Sequence, residues 1–206
     1  MAGKLIALEG IDGSGKSTLI KYLAEKLRRL NVPVVIISTR EKEQENLFNS
    51  IIKEYELKSD SSAYMFLFQV LHAYKTDRVR EALKNENIVI ADRWDFSFFA
   101  YHENFGFLSK ESEDLRKNIS KLAFQDLEPD LGIYLDIEIE KAIERRIQRG
   151  EILLDVDTEK KFYEVVKNSY KTLITAENWK IINANQDIET LSTNVLKVIK
   201  STIKIP

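Results

Sequence analysis

The chain has no cysteine, three prolines, seven glycines and two histidines in 206 residues. Without cysteine there are no disulfides, no thiolate metal sites and no cysteine nucleophile. Two histidines far apart in sequence also argue against a histidine-based metal site. No apolar stretch approaches the roughly 20 residues needed to span a bilayer, and the N-terminus lacks the apolar core of a signal peptide. A soluble, cytoplasmic protein with no membrane contact is expected. An excess of positive charge is missing too: 31 Lys and Arg against 33 Asp and Glu give a net charge of -2. No global field recruits nucleic acid, so affinity for anions must be local and the partners are expected to be small molecules. Repeats, linkers and low-complexity tracts are absent as well. At 44% hydrophobic and 31% charged, the length suits one well-buried domain, expected to span residues 1–206.

What is present centres on Gly10-Ile11-Asp12-Gly13-Ser14-Gly15-Lys16-Ser17-Thr18, which fits the phosphate-loop pattern G-x-x-x-x-G-K-[ST]. Glycines at 10, 13 and 15 let the chain curl so that successive N–H groups point at phosphate oxygens. Lys16 supplies a mobile charge for the outer phosphates, and the Ser17 hydroxyl can ligate Mg²⁺. The apolar run Leu5 to Leu8 precedes the loop, and Leu19, Tyr22, Leu23, Lys26, Leu27 and Leu30 follow it at helical spacing. Strand, loop and helix in that order aim a helix N-terminus at an anion, here the phosphates of a nucleoside triphosphate.

The same alternation continues. Further strands are expected at Val32 to Ile37, Ile88 to Ala91, Leu131 to Leu135 and Trp179 to Ile182, giving five in all. Helices are expected from Ala63 to Leu83, Ser112 to Leu127, Glu138 to Arg149, residues 158 to 176 and Ile188 to Ile203, while residues 41 to 57 read as charged and only weakly helical. The expected fold is therefore α/β, of P-loop NTPase type, with a five-stranded parallel sheet, helices on both faces and a short lid.

In a parallel sheet, ligands bind beyond the carboxyl ends of the strands. Besides the phosphate loop, two polar exits lie there, Thr39-Arg40-Glu41 and Asp92-Arg93. Asp92, ending an apolar strand, suits the organisation of Mg²⁺ with Ser17. Arg40 and Arg93 offer planar forks for a second phosphate group. Arg145, Arg146 and Arg149 close the charged helix with no acid three or four residues before any of them, so an anionic ligand is the expected counter-charge. With Gly150 as hinge, residues from about 145 to 157 read as a lid over transferring phosphates, and Arg145 or Arg149 as the catalytic arginine.

The order and spacing of these pieces resemble the thymidylate kinase family over nearly the whole chain. The matching stretches are Leu8 to Thr18, Thr39-Arg40-Glu41, Ile88 to Trp94, Ala100-Tyr101, Pro129-Asp130-Leu131 and Arg145 to Gly150. The resemblance implies transfer of the γ-phosphoryl group of MgATP to dTMP, giving dTDP and ADP, in a two-fold homodimer. It implies that Asp12 touches the acceptor's sugar, Arg40 and Arg93 its phosphate, Tyr101 the sugar or base region, and Phe68 the base. Lys16 and Arg93 would then act with the lid arginines, and Asn183-Ala184-Asn185 would lie near adenine. Three departures stand out: Lys42-Glu43-Gln44 where many members have Pro-Gly-Gly, no arginine between Glu151 and Asp157, and His72 where members usually carry an arginine that pairs with thymine. Arg78, on the same helix, is a second candidate for that pairing. Competing readings are another nucleoside monophosphate kinase; a deoxynucleoside kinase, for which Glu9 is the nearest general base; and a non-catalytic nucleotide-binding module.

Overall fold

Eight α-helices and five strands alternate along the described residues of the computed structural model, which are 2–39, 41–153 and 155–203. The strands are β1 (Lys4–Glu9), β2 (Val34–Ser38), β3 (Ile88–Asp92), β4 (Leu131–Asp136) and β5 (Trp179–Asn183). All pair in parallel in the order β2-β3-β1-β4-β5. Their β-branched, almost wholly apolar runs fit burial on both faces, because parallel crossovers place helices above and below the sheet.

Two cores follow from the period of two along β1. Ile6 and Leu8 join the core formed with α1 (Lys16–Arg29) and α8 (Ile188–Ile203), while Leu5 and Ala7 join the core formed with α3 (Ser62–Lys84) and α4 (Asp95–His102). In α8 the buried residues Leu191, Val195, Ile199 and Ile203 recur every fourth position and make the stripe that packs inward. The remaining helices are α2 (Lys42–Glu54), α5 (Glu113–Phe124), α6 (Ile139–Gln148) and α7 (Val156–Leu173).

The five expected strands are all present, and the expected helices form with shifts of a few residues at their ends. Two segments differ: the aromatic stretch from Phe96, for which no helix is expected, forms α4, and the stretch after residue 41 is more than weakly helical. The charged stretch after residue 41 is a full helix, α2, held by one buried ring: Phe48 packs edge-on against Tyr64 and Phe68 of α3. A single aromatic anchor stabilises the helix through tertiary contact, which periodicity does not register.

The sheet brings the polar exits together. β1 and β3 pair in register, Leu8 opposite Asp92, so the phosphate loop and the Asp92-Arg93 turn leave the same edge side by side.

Candidate active site

The loop from Gly10 to Gly15 curls as its glycines allow. Gly13 and Gly15 have φ of 86° and 95°, and a Cβ on Gly13 would lie 2.2 Å from the Ala142 carbonyl oxygen of α6. Helix α6 is therefore laid directly on the loop. Gly15 begins α1 without any side-chain cap, leaving the first amides of that helix open to an anion. The Lys16 ammonium donates to the carbonyls of Gly10 (2.8 Å) and Ile11 (3.0 Å), with Ser14 Oγ at 3.5 Å. Burial, and then repulsion from Arg93, lower its pKa to about 8, so a phosphate oxygen reaching it meets a poorly solvated cation.

Asp92 and Ser17 meet across the crevice, Ser17 Oγ donating to Asp92 Oδ2 at 3.3 Å. A hydroxyl and a carboxylate in contact suit a hard divalent cation, with phosphate oxygens and water completing the shell. No cluster of three or more His, Cys, Asp or Glu residues able to hold a metal exists among the described residues, so such an ion would depend on the nucleotide.

Arg93 is the hub. Its backbone takes a left-handed φ of 64°, and its amide donates to the Leu8 carbonyl, which turns the side chain back over the loop. The guanidinium donates to the Gly10 carbonyl, Ser97 Oγ, the Tyr170 hydroxyl and Asp12 Oδ1, and lies 5.2 Å from the centre of the Tyr101 ring. Burial alone would raise the Asp12 carboxyl, but the charges of Arg93 and Lys16 and the Arg93 hydrogen bond hold it down at about 2. The Tyr101 hydroxyl is buried beside Arg93, and burial pushes its pKa up to about 12, so it stays protonated.

Two cavities meet here. The larger, about 690 Å³, runs from Asp12, Ser17, Asp92 and Arg93 to an aromatic end with Phe68, His72, Phe98 and His102. The smaller, about 270 Å³, lies over Gly13, Gly15, Lys16 and Thr18 and includes Arg149 and Glu151. Asp12, Ser17, Asp92 and Arg93 line both. Of the residues singled out from sequence, Phe68, His72 and Tyr101 thus fall in the large cavity, while Arg149 and the loop fall in or beside the small one. Arg40 lies outside the described residues. Arg78 does not reach the base end, because it pairs with Glu41 at 2.8 Å.

The arginines at the end of α6 have partners that helix spacing did not predict. Arg146 pairs with Glu151 and Glu159 at 2.7 and 2.6 Å and bonds the Tyr163 hydroxyl, while Arg149 pairs with Glu151 at 2.8 Å. Arg145 donates to the Ala184 carbonyl at 3.2 Å, beside β5. The expectation that an anionic ligand must balance these arginines is corrected for Arg146 and Arg149, whose acids come from outside α6, whereas the Arg145 bond is to a neutral carbonyl. Glu9 is corrected as well. It is fully buried, and its two oxygens accept from the amides of Trp94 and Ser97 and the hydroxyls of Ser97 and Tyr170. Its carboxylate anchors the start of α4 and has no free lone pair facing a substrate, so it does not serve as a general base.

A family model for thymidylate kinase matches residues 8–195. A thymidylate kinase from Prochlorococcus marinus is 31% identical over 210 residues, covering 97% of this chain and 96% of the relative. A probable thymidylate kinase from Methanococcoides burtonii is 30% identical, covering 99% and 100%, and a thymidylate kinase from Idiomarina loihiensis is 27% identical, covering 97% and 98%. The chain belongs to the thymidylate kinase family.

Within that family frame, the residue that sequence reasoning missed is Lys75. It is 1% exposed, and its ammonium donates to Thr39 Oγ1 (3.1 Å) and to the carbonyls of Asp92 (2.7 Å) and Arg93 (2.5 Å). It pins the ends of β2 and β3 and so sets the directions of Asp92 and Arg93. The signal was available: Met65, Leu71, His72, Thr76, Val79 and Ala82 mark the buried stripe of α3, and Lys75 stands within it. A charged residue on an apolar stripe must have buried partners.

Proposed function

We propose that this protein transfers the γ-phosphoryl group of ATP to dTMP, yielding dTDP and ADP. The observation that carries the reading is the junction of the two cavities at Asp12, Ser17, Asp92 and Arg93. A triphosphate over the phosphate loop and a monophosphate against Arg93 would meet there end to end, as in-line transfer requires. An oxygen of the acceptor phosphate bonds to the γ-phosphorus while the bond to the ADP oxygen breaks. No protein nucleophile is needed, so catalysis is positioning and charge neutralisation by Lys16, Arg93 and Arg149. Mg²⁺, held by Ser17 and Asp92 together with the phosphates, would supply further neutralisation. The Tyr101 hydroxyl and Asp12 would take the sugar, and Phe68 and His72 the base.

Residues 145 to 157 serve as the lid. Arg149, which lines the smaller cavity, is the arginine for the transferring group, whereas Arg145, tied to Ala184, stands toward the donor's base. A second copy would cover α3, whose exposed Phe66, Val70 and Tyr74 repeat every fourth residue along one face. Such a stripe suits an isologous, two-fold contact. The lack of cysteine and the use of ATP fit a cytoplasmic setting.

ADP release from MgATP, measured with dTMP and separately with thymidine, tests the reading. Metal-dependent turnover with dTMP and none with thymidine is expected. Turnover of thymidine alone, or of neither, overturns it.

A further inference from the structure

The 690 Å³ cavity has two chemically different ends. Once a phosphate occupies the end at Arg93, the attached base must lie at the other, among Phe68, Phe98 and two imidazoles. The ring of His72 lies 6.3 Å from Phe68 and that of His102 6.1 Å from Phe68, centre to centre. The other polar lining groups at this end, Ser59, Asp60 and Tyr64, precede or begin α3. His72 is the polar side chain set deepest: it is 6% exposed, packed on Phe98 and Phe124, and its Nδ1 is buried without a hydrogen-bond partner.

Two properties follow. Burial, reinforced by the nearby charge of Lys75, lowers the His72 pKa to about 3, so the ring is neutral at physiological pH. A neutral imidazole carries one N–H and one lone pair, and the tautomer is set by whatever the partnered nitrogen binds. Nothing bonds Nδ1, so no protein hydrogen bond at that nitrogen fixes the tautomer, and the proton or lone pair that Nδ1 does not carry falls to Nε2. The ring can therefore offer a cavity ligand either a donor or an acceptor.

The pyrimidine bases differ in the same property. Thymine and uracil present an acceptor at C4 and a donor at N3, whereas cytosine presents a donor at C4 and an acceptor at N3. A guanidinium, which only donates, favours one pattern and leaves a donor facing a donor in the other. A tautomerising imidazole follows the inversion. We infer that His72 makes the base subsite indifferent to keto or amino at C4, so that the acceptor class is the pyrimidine deoxynucleoside monophosphates, dCMP included. The inference rests on the proposed phosphorylation of dTMP at this site and extends its substrate range.

The test is kcat/KM for dTMP, dUMP and dCMP with MgATP, for the wild type, His72→Arg and His72→Gln. The wild-type dCMP value is expected within about tenfold of dTMP, since either tautomer can be satisfied. His72→Arg is expected to lower the dCMP-to-dTMP ratio by about 10² or more, because a buried donor then opposes the amino group. Glutamine, whose amide carries both a donor and an acceptor and can flip, is expected to keep the wild-type ratio. A wild-type ratio below about 10⁻³, or a ratio unmoved by His72→Arg, overturns the inference while dTMP turnover leaves the kinase reading standing. Absence of dTMP turnover overturns both. Should His72→Arg fail to fold, the wild-type and glutamine ratios decide.

Discussion

Lowering the pH should weaken this fold through His72, and the size of the effect can be worked out. In the unfolded chain the imidazole has its ordinary pKa of 6.5, and in the folded protein burial holds it at about 3. Its neutral burial is therefore fully tolerated above 6.5, and stability is lost progressively as pH falls below 6.5, because the unfolded state binds a proton that the folded state refuses. Between about pH 7.5 and about pH 5.5 the unfolded imidazole goes from roughly one-tenth to nine-tenths protonated while the folded one stays neutral, which integrates to about 1.4 kcal/mol. For a chain of this length that is about 3–6 °C in Tm. Thermal denaturation of the wild type and His72→Gln at both pH values isolates the contribution, since His102, Lys75 and every carboxylate remain in both proteins. The variant should lose about 1.4 kcal/mol less on acidification. Equal losses in the two proteins would show that His72 is solvated or already charged, and would remove the premise of a neutral base-reading ring.

Lys75→Met removes three hydrogen bonds while keeping side-chain length; with the equivalent of one charged bond, about 1.5–3 kcal/mol, lost from the placement of Arg93, KM for dTMP should rise about 10- to 100-fold. Binding of a non-hydrolysable ATP analogue, followed by calorimetry, should change less than about threefold, and an equal loss of both affinities would mark Lys75 as merely structural. Arg149→Ala should cut kcat by about 10³ with ATP affinity nearly intact, whereas Arg145→Ala should chiefly raise KM for ATP; identical kinetic profiles would refute the division. Gly13→Ala would force the Ala142 carbonyl away from a Cβ at 2.2 Å on top of a φ of 86°, so ATP binding should be lost and Tm should drop; unaltered binding by titration would contradict the loop geometry. Val70→Asp places a charge in the exposed stripe of α3, and light scattering should then report a monomer where the wild type is a dimer; a monomeric wild type rejects the proposed interface.

Much of the fold was legible because it is written in short-range patterns. The β-branched runs, the glycine loop and the fourth-residue stripe of α8 each act through neighbours within about one turn or one strand, and all five strands and the phosphate loop follow from them. What sequence missed is long-range. Helix α2 depends on Phe48 meeting Tyr64 and Phe68, 16 and 20 positions on. Glu9 looked like an available base because it precedes the loop, yet its partners Trp94, Ser97 and Tyr170 come from elements 85 to 161 residues away. Lys75 was passed over because the helix was read for its apolar residues, when the single cation among them was the informative one.

The arginines at the end of α6 show how a local rule can fail. Helix spacing found no acid beside Arg145, Arg146 or Arg149 and looked to a ligand for the missing charge; Glu151 and Glu159 supply much of it instead. The two pairings are unequal. The Arg146 side chain is 13% exposed and held by two carboxylates and a hydroxyl, whereas that of Arg149 is 55% exposed and shares Glu151. Exposed ion pairs contribute about 0–1 kcal/mol, so a polyphosphate can draw Arg149 from Glu151 at little cost, while breaking a more buried pair leaves an uncompensated charge. Gly150 stands immediately after Arg149 with φ of 83° and nothing within 4 Å of where a Cβ would sit, which leaves the turn room to move. Arg146 therefore ties the end of α6 to α7 while Arg149 remains exchangeable, so under the proposed function charge delivery to the transferring phosphate would fall to Arg149, although it is paired in the absence of substrate.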